Sequence, residues 1–350
     1  MDTLKKLKID RKRLEISYLL LYNYFELVLY IQGGIMKNLN VIFMGTPSFA
    51  VPVLKKLIEK TNVVMVVCQP DREKDRKGNI IFPEIKRIAL ENNIEVYQPS
   101  KIRDDYQYVL DKNPDIIITC AYGQIIPLEI LEYPKYGCIN VHGSLLPKLR
   151  GGAPIHHAII NGDKVTGMTI MYMDKKMDSG DIISQREVEI LDTDNLDSLY
   201  EKMSYVGADL LMDTLPSIIS GTNNRIKQNE EEVTFGFNIT KEDEIIDFNS
   251  KAVDIFNKVR GLDSVPGASS YLDGKRVKIY KVLVTDKKSK GVPGEIVDIE
   301  KDGIIVATGD MLIKILEVKF EGKKRCKVVE YLNGVQNKKE MIGKIFTNQL

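Results

Sequence analysis

The sequence predicts an α/β protein in which a Rossmann-like, mostly parallel sheet is followed by a small antiparallel β-barrel of OB-like type. Two patterns favour this fold class. Over the first two-thirds of the chain, short apolar runs without polar alternation are separated by helical stretches, which is typical of parallel strands buried on both faces. Beyond Ser270, short alternating runs are separated by Gly, Asp and Lys turns, which is typical of small antiparallel barrels.

The individual elements follow from apolar periodicity. Continuous apolar runs predict strands of the parallel sheet at 39–44, 63–68, 94–97, 116–119 and 138–141. Runs at 169–172 and 182–185 predict a strand pair, and 194–219 predicts a long helix. A short helix and the barrel strands are predicted at 252–259, 276–280, 295–297, 303–306 and 312–315. Parallel sheets bind ligands outside the carboxyl ends of their strands, so residues that follow a strand are candidates for a site.

The chain divides into an α/β domain at 36–224, a turn-rich linker at 225–240 and a barrel domain at 241–350. Residues 1–35 do not share this pattern. Their apolar part is interrupted by polar residues and is shorter than the roughly 20 residues of a membrane span, and they lack the cleavage site of a secretory signal. We expect Met36 to be the true start, residues 1–35 to be a leader or a mis-called start, and the protein to have no membrane attachment.

The composition excludes several classes of protein. An apolar fraction of 43% and a charged fraction of 28% are ordinary for a soluble globular protein. The net charge of +1 excludes a strongly basic nucleic-acid binder on total charge, but it is compatible with a local basic face. The cysteines show no C-x-x-C spacing, so we expect buried free thiols in a reducing cytoplasm. No dinucleotide, nucleoside triphosphate or metal motif is present in the sequence.

The segment 140–155 is the densest in residues that carry chemistry. Asn140 and His142 lie at the carboxyl end of a predicted strand and point to the same side, because strand side chains alternate. An amide and an imidazole placed together can stabilise an oxyanion and transfer a proton. The alternative is a hydrogen-bonded core histidine beside an asparagine in a turn, and the residues alone favour neither. We interpret the adjacent His156 and His157 as structural or surface residues.

Asp178 is the second candidate. A carboxylate in a Gly-containing loop is most often a turn residue. It gains a functional interpretation only if it lies beside His142, where an ionised carboxylate would stabilise the protonated imidazole and fix its tautomer.

Basic residues form the third group. The charged loop 71–79 follows a predicted strand on the same side of the sheet as Asn140, and it contains Arg76 and Lys77. The barrel carries two basic clusters, which include Lys275, Arg276, Lys323 and Lys324. Each is compatible with an ordinary solvated face. Two clusters on one small barrel also fit a surface that grips a nucleic-acid backbone.

The segments 140–155 and 177–183 resemble the 10-formyltetrahydrofolate-dependent formyltransferases. Those enzymes use an Asn-x-His pair and a downstream Asp-x-Gly loop for catalysis, which here fall on Asn140, His142 and Asp178. Their Ser-Leu-Leu-Pro sequence lies at the folate site, and its counterparts here are Ser144, Leu145, Leu146 and Pro147.

From Met36 onward the chain resembles the branch of this family that acts on methionyl-tRNA, and the resemblance is carried by 43–50, 69–72, 308–310 and 320–324. It implies a formyltransferase catalytic domain at 36–224 and a tRNA-binding barrel at 241–350. The loop at 75–79 departs from the family, because it reads Asp-Arg-Lys-Gly-Asn where Gly-Arg-Gly-Lys-Lys is usual.

The resemblance implies that a formyl group passes from 10-formyltetrahydrofolate to the amino group of initiator methionyl-tRNA, without a metal. Asn140 and protonated His142 would stabilise the tetrahedral oxyanion, and Asp178 would keep His142 protonated. A cytoplasmic monomer is expected. The alternatives are an amino-sugar formyltransferase, a 10-formyltetrahydrofolate hydrolase and a non-catalytic RNA-binding protein on the same scaffold. The charged loop and the basic barrel argue against the first two, and the complete catalytic set argues against the third.

Overall fold

The computed structural model describes Gly34, residues 36–71 and residues 82–348. The expected leader therefore lies almost entirely outside the described residues, as do Arg76 and Lys77. The described chain separates into two compact units. The first contains the residues up to Cys138 together with Met212–Asn223, and the second contains Ile139–Leu211 and the residues from Asn224 onward. The domain and linker boundaries inferred from the sequence stay predictions.

Parallel strands form the centre of the first unit. Their bounds are β1 Asn40–Gly45, β2 Asn62–Val67, β3 Glu95–Tyr97 and β4 Ile116–Cys120. They are ordered β3-β2-β1-β4, and every neighbouring pair is parallel. The side chains of 41–44 in β1 are all 0% exposed, and burial of each such side chain contributes roughly 1.5–3 kcal/mol. The predicted parallel sheet is confirmed.

The helices of this unit are amphipathic or short. Their bounds are α1 Val51–Lys60, α2 Glu84–Glu91, α3 Gln107–Leu110 and α4 Leu128–Leu131. Helix α1 starts with a proline in its first turn, where the missing N–H costs nothing. Its apolar residues Val53, Leu54 and Leu57 are fully buried, so packing against the sheet rather than intrinsic propensity stabilises this helix.

An antiparallel group of strands follows, β5 Cys138–His142, β6 Val165–Tyr172 and β7 Ile182–Glu189, and all of it except Cys138 belongs to the second unit. The pairing of β6 with β7 confirms the predicted strand pair. Two helices accompany these strands in sequence, α5 Pro154–Ile160 and α6 Leu196–Ser220. Helix α6 begins with a reciprocal cap, because the side chain of Asn195 accepts from Ser198 N at 3.0 Å and the Ser198 hydroxyl accepts from Asn195 N at 3.2 Å.

A second sheet follows in the same unit. Its strands are β8 Ala268–Leu272, β9 Lys275–Lys288, β10 Ile296–Glu300, β11 Gly303–Ala307, β12 Met311–Phe320 and β13 Cys326–Lys327. The order is β10-β11-β12-β9-β8, with β13 beside β12, and all pairs are antiparallel. Its core also includes residues of helices α7 Ala252–Gly261 and α8 Val328–Asn333. The antiparallel C-terminal part is confirmed, whereas its closure into an OB-like barrel stays a prediction.

Helix α7 is tied to the loop before α6 by a buried arginine. Arg260 is 6% exposed, and its Nη1 donates to the carbonyl oxygens of Leu191 and Asp194, both at 2.9 Å. Its Nε donates to the side chain of Asn257 at 2.9 Å. The charge is therefore surrounded by acceptors, as a buried guanidinium requires. Within the described part of the chain, no helix has the length and apolar character to cross a bilayer.

Candidate active site

Strand β5 carries the two candidate residues that the sequence places on one face. Asn140 is half-buried, and His142 is 6% exposed. The Nε2 atom of His142 lies 3.1 Å from the carbonyl oxygen of Leu149. Because a carbonyl only accepts, Nε2 carries the hydrogen. The other ring nitrogen, Nδ1, then faces the carboxylate of Asp178.

The structure brings Asp178 to His142, as the functional interpretation of the sequence requires. Nδ1 of His142 and Oδ2 of Asp178 are 3.8 Å apart. This distance exceeds a hydrogen bond, so the two groups share no proton, and the carboxylate attracts the imidazole only when the ring is protonated. The Oδ2 atom accepts a hydrogen bond from Gly151 N at 2.8 Å. The carboxylate is thus held between a backbone amide and the imidazole.

Gly151 is a residue of this site that the sequence does not single out. Its φ is +124°, and a β-carbon added to it would lie 2.7 Å from the carbonyl oxygen of Gly236. Only glycine therefore lets the amide of residue 151 reach Asp178 while the backbone of Gly236 lies so close to it. The Arg-Gly-Gly sequence at 150–152 is the signal that points to a close backbone approach here.

The Ser-Leu-Leu-Pro turn is braced by two polar side chains. The hydroxyl of Thr169 donates to Ser144 O at 2.6 Å and accepts from Leu146 N at 3.2 Å. The amide of Gln185 donates to Leu146 O and to the Thr169 hydroxyl, both at 2.9 Å. The Ser144 hydroxyl donates to Lys148 O at 2.6 Å. The turn is therefore fixed before any ligand binds.

Exposure separates the four residues of this turn. Ser144 and Leu146 are 1% and 3% exposed, whereas Leu145 and Pro147 are partly exposed. Leu146 packs in a small cluster with Met171 and Ile182. Leu145 and Pro147 consequently offer the apolar surface that a ligand can contact, and the other two shape the backbone.

A segment of the predicted linker lies against both loops of the site. Ile226 exchanges backbone hydrogen bonds with Ile182, at 2.8 and 2.9 Å. Further along, Gly236 N donates to Arg150 O at 2.8 Å, and Arg150 N donates to Thr234 O at 2.9 Å. Sequence patterns do not reveal these contacts, because they join residues far apart in the chain.

The basic residues of the C-terminal sheet lie at one end of the β9–β12 pair. Val277 pairs with Phe320, so Lys275 and Arg276 at the start of β9 are close to the turn after β12. Lys275, Lys323 and Lys324 are exposed. Arg276 differs, because its guanidinium forms an ion pair with Glu244 at 2.6 Å. Its charge is thus partly neutralised within the fold.

The other two histidines, His156 and His157, are not among the candidate catalytic residues. Burial is the main cause that lowers the pKa of His156 to about 4, with the neighbouring His157 acting in the same direction. In the described ranges, no group of three or more His, Cys, Asp or Glu residues has an arrangement that could hold a metal ion. The cysteines are free, and Cys68, Cys120 and Cys138 are buried, as expected from their apolar surroundings.

Comparison with known proteins gives consistent matches along the chain. Residues 37–215 match the formyl transferase family, and residues 238–336 match the formyl transferase C-terminal domain. A methionyl-tRNA formyltransferase of Bacillus licheniformis is 48% identical over 299 residues, which cover 84% of this chain and 95% of that protein. A methionyl-tRNA formyltransferase of Bacillus mycoides is 50% identical over 305 residues, which cover 85% of this chain and 96% of that protein.

Solved structures show the same fold at lower identity. HypX from Aquifex aeolicus, in complex with tetrahydrofolic acid, superposes with a TM-score of 0.57 at 19% identity, covering 84% of this chain and 46% of that one. An N-formyltransferase from Helicobacter canadensis, in complex with folinic acid and dTDP-3-aminofucose, gives a TM-score of 0.59 at 19% identity, covering 79% and 98% of the two chains. The family matches and the relatives at 48% and 50% identity show that this chain belongs to the methionyl-tRNA formyltransferases of the formyl transferase family.

Proposed function

We propose that this chain transfers the formyl group of 10-formyltetrahydrofolate to the free amino group of initiator methionyl-tRNA, giving N-formylmethionyl-tRNA for translation initiation. The relatives at 48% and 50% identity support the choice of substrate. The observation that carries the proposal is the placement of His142 against Asp178 at the end of the strand that also holds Asn140.

The proposed chemistry assigns one task to each side chain. The folate supplies the formyl group, the amine attacks its carbon, and N10 leaves with a proton. Asn140 donates a hydrogen bond to the oxygen that becomes negative, a contact typically worth about 10²–10³ in rate. His142 adds a second donor when protonated, and Asp178 stabilises that positive charge from 3.8 Å away. Protonated His142 gives its Nδ1 proton to the departing N10, and the neutral Nδ1 then takes the proton that the attacking amine loses.

We assign the folate to the turn Ser144, Leu145, Leu146 and Pro147. Its braced backbone presents fixed polar groups, and the partly exposed Leu145 and Pro147 add apolar contact. We assign the tRNA backbone to the exposed Lys275, Lys323 and Lys324 and to the loop that contains Arg76 and Lys77, with a smaller contribution from Arg276.

We also propose that the protein works as a monomer in the cytoplasm. Light scattering on the purified chain would test the oligomeric state, and cell fractionation would test the localisation.

The direct test is formylation of charged initiator tRNA with 10-formyltetrahydrofolate as donor and charged elongator methionyl-tRNA as control. Selective formylation of the initiator is expected. Consumption of the folate without modification of tRNA would contradict the proposed acceptor. An amino sugar or water would then have to be tested as acceptor in the same assay.

Substitution of Asn140 tests the assigned chemistry. We expect Asn140→Ala to lower kcat by about 10²–10³, because one oxyanion donor is lost, while the Kd for the folate changes little. Steady-state kinetics give kcat, and equilibrium folate binding gives the Kd. Asn337→Ala is the matched control, since Asn337 is exposed in the C-terminal sheet region and bonds only a neighbouring glutamate. Near-normal turnover of Asn140→Ala would refute the assignment.

A further inference from the structure

One side chain of the linker contacts both loops that position the catalytic carboxylate. The Nε2 atom of Gln228 donates to the carbonyl oxygens of Asp178 and Gly180, both at 2.8 Å. Its Oε1 atom accepts from Nε of Arg150 at 3.0 Å. Gln228 therefore joins the Asp178 loop to the loop that carries Gly151, whose amide bonds the Asp178 carboxylate.

The orientation of this amide is fixed by its partners. Two carbonyl oxygens require donors and a guanidinium requires an acceptor, so the reversed amide would place oxygen against oxygen. Both hydrogens of Nε2 and the oxygen are used within the protein. Gln228 is half-buried, and hydrogen bonds shielded from solvent hold geometry better than exposed ones.

The Asp178 loop needs support from outside, and the buried Arg150 is a fixed partner through which Gln228 can give it. Asp178 adopts φ +49°, in the left-handed region that non-glycine residues seldom occupy, so its loop needs outside support. Arg150 is 4% exposed and forms two contacts with Glu230, at 2.9 and 3.4 Å. Glu230 itself is 74% exposed. The buried contact between Arg150 and Gln228, rather than the ion pair with Glu230, is therefore the part of the network that supports the site.

From this geometry we infer that Gln228 is a positioning residue for formyl transfer. It acts through Asp178, by fixing the carboxylate at the distance from which it stabilises protonated His142. Gln228 does not contact the reacting atoms, and the linker thus forms part of the active site's supporting structure. The inference rests on the proposed function.

Kinetics of Gln228→Met test this role, because methionine keeps the length and removes all three hydrogen bonds. We expect kcat to fall by about 10–100-fold, because a small displacement of a catalytic group lowers the rate steeply, with KM for folate and tRNA within about two-fold. Gln228→Glu should be slower still, because its carboxylate places negative charge against two carbonyl oxygens. In an Asp178→Asn background the same Gln228→Met change should cost less than about two-fold, since the group it positions is already lost.

Two controls separate positioning from general stability. Gln107→Met makes the same chemical change at an exposed helical residue that bonds only Asp111, and Glu230→Gln alters the solvent side of the Arg150 network. Both should retain wild-type kcat. An equal loss of kcat from Gln228→Met in both backgrounds, or a lower Tm with unchanged kcat, would overturn the inference. Absence of formylation by the wild-type chain would instead contradict the proposed function, so the two failures are distinct.

Discussion

His156 shows how burial of one residue links stability to pH. It lies in helix α5, two residues after its start, and its side chain is only partly accessible. Burial holds its pKa at about 4, with a smaller contribution from His157, while a hydrogen bond with the backbone of Val265 acts in the opposite direction. The folded protein therefore keeps this imidazole neutral at pH values where the unfolded chain protonates it.

We predict that the free energy of unfolding decreases as pH falls from about 6.5 to about 4. In this window the unfolded state binds a proton that the folded state does not, so stability is fully present above the window and is lost below it. The decrease from this residue is up to roughly 3 kcal/mol. Urea unfolding at several pH values measures it. His156→Gln should flatten the slope, and an unchanged slope in that variant would contradict the prediction.

The sequence predicts which residues of the candidate site carry the chemistry, but not which contacts hold those residues in place. Asn140 and His142 could be predicted because strand alternation is a local property. The Gly151 amide and the Gln228 side chain reach Asp178 from positions 27 and 50 residues away in the chain. No local pattern encodes such contacts, since they depend on how the loops fold onto each other.

At the scale of elements, the Ser-Leu-Leu-Pro turn depends on a neighbouring strand. Thr169 of β6 is 0% exposed, and its hydroxyl bonds both a carbonyl and an amide of the turn. An isosteric apolar residue would leave both groups unpaired at a buried position. The shape of the turn thus depends on the β5–β6 strand pair and not on the turn residues alone.

We predict that Thr169→Val weakens folate binding about ten-fold, because loss of one buried hydrogen-bonding group costs roughly 1–3 kcal/mol. Equilibrium binding of the folate measures this change. Thr169→Ser, which keeps the hydroxyl, is the matched control and should bind nearly as wild type. Equal folate affinity of the Val variant and the wild type would show that the turn keeps its shape without this brace.

The sequence also predicts best those strands and helices whose structure depends on local residue patterns, and less well those that depend on contacts with distant residues. The sequence predicts strands β1 to β5 to within one residue at each end, because their apolar runs are continuous and bounded by turn residues. The long strands β9 and β12 were predicted only in part. The outer part of β9 is mostly exposed and ends in charged residues, whereas that of β12 mixes charged residues with the buried Val318. Pairing between the two strands keeps both parts extended.

At the scale of the whole molecule, Arg260 provides a test of stability. We predict that Arg260→Ala lowers the free energy of unfolding by about 2–4 kcal/mol, because three acceptors around a buried guanidinium lose their donor. Urea denaturation measures the loss. Arg87→Ala is the control, since the ion pairs of Arg87 lie on an exposed helix surface and contribute little. Similar urea midpoints for Arg260→Ala and Arg87→Ala would contradict the stabilising role assigned to Arg260.

Association with tRNA should depend on the exposed lysines after β12. For the double variant Lys323→Ala with Lys324→Ala, we predict a several-fold higher KM for tRNA with unchanged kcat. We also predict a salt dependence reduced by about two counterions, because each phosphate contact releases roughly one. Kinetics over a range of salt concentrations give both values. Lys60→Ala, at the exposed end of α1, serves as control, and a KM insensitive to salt would exclude phosphate contacts.

The two backbone anchors of the predicted linker restrict how this region can change in evolution. Ile226 is paired with Ile182, and Phe235 is bridged to Arg150. An insertion or deletion between Ile226 and Phe235 would break one anchor or move a different side chain into the place of Gln228. Related chains that use this arrangement should therefore keep the length of this segment constant, while gaps in their alignment fall in the polar turn before it.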